Sequence, residues 1–354
     1  MPKIPAPELE TLARDLLTAA GLPKPRAGAM AEVMVTTDLM GHHTHGVAFL
    51  PQYLDRIASG VIAREGEIAV LSEGPAHLAW RTPRLPGAWV MQQAIARLLE
   101  MVKTQPVVTA TIANCSHIGS LQTYLKGIGE RGLLAQLMVT DPGVASVAPF
   151  GGADPVLTSN PIAVAIPTHG DPVLMDQSTS LVSNAMIAGF GRRGETLPGD
   201  WILDGVGNPS RDPKVMEADP PGTILPLGGL DFGYKGFGFG LMVEAFSLAL
   251  SGHGRRDPQQ RGGQGVYLQI VDPAMFSGRE AFLDETTELV RRCRAARPSG
   301  DRPVRLPGER AYAEAARQSR EGIEVTPALL DTITARCATL GVSLPAGMTE
   351  LEAK

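Results

Sequence analysis

The sequence predicts an α/β fold in which helices from both ends of the chain accompany a central α/β domain. Three observations support this: apolar residues at helical spacing up to about residue 60, short β-like runs between helices in the middle, and helical spacing again after residue 309. A length of 354 residues suits two or three domains. We expect a discontinuous helical domain from residues 1–75 and 310–354, and a central domain from residues 76–309.

The first sixty residues contain three predicted helices. In the first, leucines at positions 9, 12, 16 and 17 share one face, and Gly21 with Pro23 ends the helix. The second repeats this spacing over residues 30–37, and the third runs from about Val47 to Ala58. The segment Gly41–Gly46 is therefore expected at a junction between two helices.

The middle of the chain alternates predicted helices and strands. Glycine- and proline-rich stretches at 252–265 and 297–307 are predicted to be long loops. We predict helices near residues 90–102 and 121–131, and strands at 106–114, 133–140, 162–166, 172–175, 224–227 and 266–271.

Two more helices are predicted near the C-terminus, over residues 309–320 and 327–340. Thr326 is the expected N-cap of the second, and Pro327 occupies its first position, where a missing backbone N–H does no harm. We expect this tail to pack on the N-terminal helices.

Composition and charge exclude several classes of protein. A net charge of −5 gives no long-range attraction to nucleic acid or to anionic lipid, so we expect no partner of either kind. The three cysteines are far apart and form no Cys-x-x-Cys motif, which fits a reducing cytoplasm. The N-terminus lacks the apolar core of a secretory signal, and no apolar stretch is long enough to span a membrane.

The first candidate for chemistry is the histidine cluster Gly41–Gly46, which contains His42, His43, Thr44 and His45. Three imidazoles can bind a metal, although no His-Glu-x-x-His motif is present and we expect no metal here. Histidine also suits acid–base catalysis near neutral pH, with Thr44 holding the ring of His45. The third interpretation is a helix end whose histidines are merely hydrogen-bonded.

The second candidate is the segment from Asn114 to Ser120, which follows a predicted strand and precedes a helix. Open α/β sheets bind ligands at such positions, so His117 and the N–H groups of Gly119 and Ser120 are expected to face an anion or a substrate. A nucleophilic pair of Cys115 with His117 is conceivable, but no third group is evident that would orient it.

The third candidate is the glycine-rich segment from Asp231 to Gly240, predicted to lead into a helix over 241–250. Its glycines and Lys235 suit a phosphate cradle at a helix N-terminus, and close packing explains the glycines equally well. The segment Gly189–Gly194 also matches Gly-x-Gly-x-x-Gly. A helix-like segment rather than a strand precedes it, so we interpret it as a helix end, with Arg192 and Arg193 as possible phosphate contacts.

Taken in order, these motifs resemble the malate/L-lactate dehydrogenase family, which is unrelated in fold to the Rossmann lactate dehydrogenases. The family includes ureidoglycolate and sulfolactate dehydrogenases, diketogulonate reductase, and piperideine- and pyrroline-carboxylate reductases. The matching segments run from residue 38 to about residue 312 and are HTHG with LPQYLDRIASG, NCSHIGS, PFGGADPVLTSNPIAVAIP, MDQSTS, WILDGVGNPSRDP, GYKGFGFGLMVE and RLPGERAY.

The resemblance implies a fold and an activity. The central domain would be a non-Rossmann, sulfolactate dehydrogenase-like NAD(P)-binding domain with a mixed sheet, in a protein that is normally a homodimer. The implied reaction is hydride transfer between nicotinamide and a small ketone, 2-hydroxy acid or cyclic imine, with a protein group supplying the proton.

The resemblance also assigns roles to residues. His45 with Thr44, or His117, would be the proton donor, and Phe49 and Asn160 would face the substrate. The nucleotide is NADP or NAD, with a slight preference for NADP because Arg192 and Arg193 suit a phosphate. The implied nucleotide contacts are His117, Ile118, Gly119, Ser120, Leu121, Thr140, Asp176, Gln177, Ser178, Lys235, Gly236, Gly308, Glu309 and Arg310.

One residue departs from the family pattern. Family members usually carry an arginine four residues after the second histidine of the motif, where it pairs with the substrate carboxylate; Phe49 stands there in this chain. A phenyl ring donates no hydrogen bond to a carboxylate. The substrate is therefore expected to lack that carboxylate or to present it to another arginine.

Three hypotheses follow. The first is an NAD(P)-dependent oxidoreductase with an atypical substrate. The second is a family member that binds nucleotide without reductase activity, and the third is a metal-dependent hydrolase that uses His42, His43 and His45.

Overall fold

A computed structural model describes residues 2–256, 261–345 and Met348. Ten helices occur in these residues: α1 Ala6–Ala19, α2 Lys24–Leu39, α3 Leu50–Ala58, α4 Gly87–Met101, α5 Leu121–Gly129, α6 Asn184–Arg193, α7 Gly229–Ser247, α8 Arg279–Ala295, α9 Glu309–Glu321 and α10 Pro327–Leu340. Twelve strands accompany them: β1 Lys3–Ile4, β2 Ala69–Gly74, β3 His77–Arg81, β4 Val107–Cys115, β5 Leu134–Thr140, β6 Ile162–Ile166, β7 Val173–Gln177, β8 Ile202–Leu203, β9 Pro209–Ser210, β10 Thr223–Ile224, β11 Gln264–Val271 and β12 Ile323–Glu324.

A seven-stranded sheet forms the centre of the molecule, in the order β2-β3-β4-β11-β5-β6-β7. Strands β3 and β4 are parallel, whereas the other neighbouring strands of this sheet are antiparallel. The mixed sheet that the family resemblance implied is confirmed. Strand β4 lies inside this sheet, and its valine, alanine and isoleucine side chains are largely buried, as expected for a strand covered on both faces.

Helices from the two ends of the chain pack together. Leucines on one face of α1 are buried against α2 and α10, and α2 also contacts α9. Strand β1 pairs with β12, with Lys3 opposite Glu324, so the two ends share a small antiparallel sheet. The predicted packing of the C-terminal tail on the N-terminal helices is confirmed.

Several predicted elements agree with the structure. Helix α10 and strand β6 have the predicted bounds, and the side-chain oxygen of Thr326 accepts the N–H of Leu329 as the N-cap of α10. The predicted helix from about Val47 to Ala58 divides into a 3-10 turn over Val47–Phe49 and α3. The hairpin β2–β3 and helix α8, which begins before the predicted loop at 297–307, were not predicted.

The glycine-rich segment is the main correction. Helix α7 begins at Gly229, so Asp231–Gly240 lies inside the helix, and the predicted start at Leu241 is wrong. Gly229, Gly233, Gly236 and Gly240 share its buried face, where the N–H of Gly236 is bonded to the Leu227 carbonyl and a Cβ at Gly236 would collide with the Leu227 backbone. These glycines permit close packing.

The opposite face of α7 is exposed and apolar. About half of each large side chain there remains accessible to solvent. The exposed apolar residues of this helix are Leu230, Phe232, Tyr234, Phe239, Leu241 and Phe246. Among the described residues, none of the helices is both long and apolar enough to cross a bilayer.

Candidate active site

The histidine cluster forms the junction between α2 and α3, as predicted. A 3-10 turn over His43–His45 is followed by Gly46 and the second 3-10 turn. Asp38, buried in the last turn of α2, organises this junction: one carboxylate oxygen accepts the Val47 N–H at 2.7 Å, and the other lies 3.1 Å from Nδ1 of His43. This contact with Asp38 raises the pKa of His43, which is half exposed.

Gly46 is required by the close approach of Asp38. A Cβ at this position would overlap the Asp38 carboxylate, so a larger residue would displace the group that holds the junction. The sequence motif therefore contains a glycine for a packing reason that depends on a residue eight positions earlier.

His117 lies against the junction, at the carboxyl end of β4. Its ring is stacked on Phe49, with centroids 5.0 Å apart, and on His45, with centroids 5.7 Å apart. The hydroxyl of Tyr53 lies 2.8 Å from its Nδ1 atom. The structure thus brings together the two histidines that the sequence nominated as proton donors.

Burial determines the protonation of this cluster. Removal from water lowers the pKa of His117 to about 3, and the positive charges of nearby Arg56 and Arg261 act in the same direction. Burial also lowers the pKa of His45 and raises the pKa of Tyr53 well above its ordinary value. Both imidazoles are therefore neutral at pH 7, and the Tyr53 phenol keeps its proton and can donate it to Nδ1 of His117.

His45 has a second polar neighbour in the junction. The hydroxyl of Thr44 lies 3.0 Å from Nδ1 of His45, which fits the predicted role of Thr44 in holding the ring. Met30 and Met34 of α2 lie next to the two histidines and close the site on the side that faces the hydrophobic core.

A polar cleft of about 180 Å³ begins on the other side of the junction, at His42. The His42 ring is hydrogen-bonded to the Gln122 side chain of α5, and burial, followed by the charge of Arg310, lowers its pKa to about 4. The other cleft residues come from β7 and from the turn before α9: Leu174, Met175, Asp176, Gln177, Arg305, Leu306, Pro307, Gly308, Arg310 and Ala311.

Asp176 occupies the N-terminus of α5. Its carboxylate accepts the N–H groups of Leu121 at 3.0 Å and Gln122 at 3.1 Å, which satisfies donors that the helix leaves open. Burial nevertheless raises the pKa of this carboxyl above its usual value. A carboxylate of the protein thus occupies the start of α5, and the predicted role of the Gly119 and Ser120 N–H groups stays a prediction.

Gly308 forms a tight turn at the end of the cleft. It has φ of +93°, and a Cβ there would lie 2.9 Å from the backbone nitrogen of Leu174. Of the nucleotide contacts implied by resemblance, the structure places Asp176, Gln177, Gly308 and Arg310 together in this cleft.

Other predicted contacts lie elsewhere. Lys235 and Gly236 are inside α7, where Lys235 is exposed beside the rings of Phe232 and Tyr234, so the interpretation as a phosphate cradle at a helix start is wrong. Neither residue lines the cleft around Asp176. Their assignment as nucleotide contacts stays a prediction.

Thr140 and Asn160 belong to a buried polar network. The Thr140 hydroxyl donates to the Asn160 side-chain oxygen, and the Asn160 amide donates to Glu244 at 3.0 Å. Arg255 holds the Glu244 carboxylate through two hydrogen bonds, at 2.8 and 2.9 Å. The roles of Thr140 at the nucleotide and of Asn160 at the substrate stay predictions.

The Gly-x-Gly-x-x-Gly match at Gly189–Gly194 is a helix end, as interpreted from the sequence. Gly194 has a left-handed conformation at the C-terminus of α6, although the helix itself extends to Arg193, beyond the segment that we predicted. Arg193 is paired with Glu195 at 2.8 Å, and neither Arg192 nor Arg193 lines the cleft. Arg305 and Arg310 supply the positive charge there instead.

Two alternatives for the chemistry gain no support. Within the described part of the chain, no group of three or more His, Cys, Asp or Glu side chains is arranged to hold a metal ion. Cys115 is fully buried, and burial raises the pKa of its thiol to about 12, so it does not supply a thiolate near pH 7.

Sequence reasoning missed Asp38, Tyr53 and Gln122. Tyr53 follows Phe49 by four residues, a spacing that places both on one helix face, so this neighbour was detectable once α3 was predicted. The contacts of Asp38 and Gln122 depend on how distant segments pack, and the sequence carries no local signal for them.

Comparison with known proteins shows the family of the chain. The malate/L-lactate dehydrogenase family model matches residues 4–334. The chain is 30% identical to a malate/(S)-sulfolactate dehydrogenase of Methanothermus fervidus over 348 residues, which cover 96% of this chain and 98% of the relative. It is 28% identical to an NAD⁺-dependent ureidoglycolate dehydrogenase of Escherichia coli O157:H7, over 91% of this chain and 92% of the relative.

A solved structure shows the same fold. The Δ1-piperideine-2-carboxylate reductase of Pseudomonas syringae pvar. tomato superposes with a TM-score of 0.85 at 26% identity, and the match covers 95% of this chain and all of the other. Both the sequence and the fold are therefore shared over nearly the full length.

Proposed function

The chain belongs to the malate/L-lactate dehydrogenase family, and from this membership we propose that it is an NAD(P)-dependent oxidoreductase acting on a small ketone, 2-hydroxy acid or cyclic imine. The observation that carries the proposal is the stacked pair of His45 and His117, together with the cleft that begins at His42 of the same junction and contains Asp176 and Arg310. When bound, a nicotinamide would supply or receive the hydride at the carbonyl or imine carbon.

The cleft residues fit a dinucleotide. Arg305 and Arg310 suit its phosphates, and the Asp176 and Gln177 side chains offer acceptors and donors for ribose hydroxyls. The turn at Gly308 keeps the wall of the cleft close to β7, as the tight contact with Leu174 requires. We retain both NADP and NAD, with a slight preference for NADP that now depends on Arg305 and Arg310.

We propose His45 as the proton donor in reduction and as the acceptor in oxidation. Its pKa is lowered by burial alone, whereas His117 is held neutral by burial and by the positive charges of Arg56 and Arg261. A group that exchanges protons near pH 7 works best with a pKa close to that pH. His117 would then hold the substrate oxygen or nitrogen through its Nε2–H, since Tyr53 donates to Nδ1.

The assembly and location are also proposals. Helix α7 exposes several large apolar side chains on one face, which supports the homodimer implied by the family. The three cysteines are widely spaced and form no Cys-x-x-Cys motif, which favours a reducing compartment such as the cytoplasm.

The test is an enzyme assay with purified protein. NADPH and NADH are each mixed with a panel of ketones, 2-oxo acids and cyclic imines, and the oxidation of the nicotinamide is followed. We expect turnover of at least one substrate class, with a drop of about 100-fold or more for His45→Gln, in the range for loss of a general acid. Absence of both turnover and nucleotide binding would reject the proposal.

Two further outcomes are informative. Nucleotide binding without any turnover would favour the second hypothesis, a family member without reductase activity. Full activity in both His45→Gln and His117→Gln would remove the histidines from the mechanism. As a matched control, His77→Gln changes an exposed imidazole on the β2–β3 hairpin and is expected to leave activity unchanged.

A further inference from the structure

Arg56 lies beside the candidate active site on the same face of α3 as the aromatic residues. Phe49, Tyr53 and Arg56 are spaced by four and three residues, so their side chains align along one side of the helix. The Arg56 guanidinium carbon is 5.2 Å from the centroid of the Phe49 ring, and that ring also stacks on His117. Arg56 is thus one aromatic ring away from the proposed catalytic histidines.

Arg56 forms no ion pair within the described part of the protein. The guanidinium is half-buried, and within residues 2–256 and 261–345 no carboxylate forms an ion pair with it. The preceding residue on α3 provides a contrast, since Asp55 is paired with Arg336 at 2.7 Å. A partly buried, unpaired guanidinium is costly unless an anion binds to it.

A second positive charge faces the same place. Asp141 accepts the N–H groups of Gly143 at 2.9 Å and Gly262 at 2.8 Å, which holds the segment that begins at Arg261. Arg261 is close enough for its charge to lower the pKa of Arg56. The Asp141 carboxylate acts in the opposite direction and raises the pKa of Arg56, but among the described residues it forms no ion pair with that guanidinium.

The contact with Phe49 leaves the hydrogen-bonding edge of Arg56 unused. A guanidinium that lies over an aromatic ring makes this contact with its flat face, while its N–H donors point outward in its own plane. Those donors match the two oxygens of a carboxylate. Phe49 therefore contacts the guanidinium through its ring and does not compete with an anion for the N–H donors of Arg56.

We propose that Arg56, assisted by the charge of Arg261, binds the carboxylate of the substrate and so takes over the task of the arginine that Phe49 replaces. The substrate class is then a small 2-oxo or 2-hydroxy acid, or a cyclic imine that bears a carboxylate next to the reacting carbon. This inference rests on the proposed oxidoreductase function, since it places that carboxylate beside the carbon that accepts the hydride.

The test compares an inert acid with its neutral analogue. Oxamate has the shape of a 2-oxo acid and cannot be reduced in this site, and oxamide replaces its carboxylate by an amide. Both are titrated by calorimetry into the protein with and without bound NADH. We expect the wild-type protein to prefer oxamate, and Arg56→Gln to weaken oxamate binding about 10- to 100-fold while oxamide binding stays the same.

Controls separate this inference from the proposed function. Arg56→Lys is expected to recover part of the oxamate affinity, and Arg320→Gln, which removes an exposed arginine of α9, is expected to change nothing. Equal oxamate affinity in wild type and Arg56→Gln, or no preference for oxamate in the wild type, would overturn the role of Arg56. A protein that binds oxamate through Arg56 but binds no NADH or NADPH would instead contradict the proposed function.

Discussion

The hydroxyl of Tyr53 lies 2.8 Å from Nδ1 of His117, and this contact determines which nitrogen of the imidazole faces the site. Because burial keeps the phenol protonated, Tyr53 can donate to Nδ1, and we propose this arrangement, in which His117 is the Nε2–H tautomer. A neutral imidazole held in this way can donate a hydrogen bond to a substrate oxygen without carrying a charge.

Removal of this hydroxyl is expected to reduce activity more than stability. In Tyr53→Phe, Nδ1 of His117 loses its partner, so the ring is free to change tautomer and orientation. We expect kcat/KM to fall about 10- to 100-fold, with a loss of about 1–3 kcal/mol in unfolding free energy for the unsatisfied buried nitrogen. Steady-state kinetics and urea unfolding measure the two effects.

Tyr312→Phe is the matched control for that variant. The hydroxyl of Tyr312 is buried and has no hydrogen-bond partner among the described residues, so its removal is expected to leave stability unchanged or slightly increased. Equal effects of the two substitutions on kcat/KM would contradict a specific role for the Tyr53 hydroxyl.

Gly46→Ala is expected to disrupt the histidine junction. The new methyl group would overlap the Asp38 carboxylate, which holds both His43 and the Val47 N–H. We expect a loss of about 2–4 kcal/mol together with loss of activity. Thermal unfolding of this variant is compared with Gly28→Ala in α2, where a Cβ has open space and a gain of about 0.5–1 kcal/mol is expected. A stable, active Gly46→Ala protein would refute this assignment.

The low pKa of His117 predicts sensitivity to acid. Between its ordinary pKa of 6.5 and about 3, the unfolded chain binds a proton that the folded protein does not, so stability falls as the pH is lowered through this range. From pH 7 to pH 5 the expected loss from this group is about 1–2 kcal/mol. Urea unfolding should show a smaller loss over this interval in His117→Gln. The same loss in both proteins would mean that His117 titrates normally.

The cleft predicts which arginines affect nucleotide binding. Arg310 lines the cleft and its charge reaches His42, whereas Arg193 is paired with Glu195 outside it. We expect Arg310→Gln to weaken NADPH binding about tenfold or more, in line with loss of a charged contact to phosphate, and Arg193→Gln to have no effect. Fluorescence titration of the reduced nucleotide tests this. Weaker binding in Arg193→Gln and unchanged binding in Arg310→Gln would instead favour Arg192 and Arg193, the pair that the sequence first suggested, as the phosphate site.

Local signals predicted the elements that depend on local interactions. Helix α10 has a threonine N-cap followed by proline, and both act at the helix start whatever the rest of the chain does. Helix α7 shows the opposite case, because glycine disfavours helices locally, yet the buried face of this helix needs glycines to approach the Leu227 backbone. Tertiary packing reversed the local preference there.

The same distinction between local signals and tertiary packing applies to the candidate site. His45 and His117 were nominated from short motifs, but their stacking and the contact of His117 with Tyr53 depend on the packing of α3 against the end of β4. The unpaired charge of Arg56 was invisible in the sequence, since an arginine in a helix is ordinarily a solvated residue. Only the three-dimensional arrangement shows that Arg56 lies on Phe49, with Arg261 and Asp141 nearby, and forms no ion pair with any described residue.

The most direct test is a crystal structure of the protein with NADPH and oxamate bound. We expect the dinucleotide along the cleft between Asp176 and Arg310, the nicotinamide ring facing His45 and His117, and the oxamate carboxylate on Arg56. A dinucleotide bound elsewhere, or a nicotinamide ring with neither imidazole within hydrogen-bonding reach of the oxamate, would contradict the proposed function.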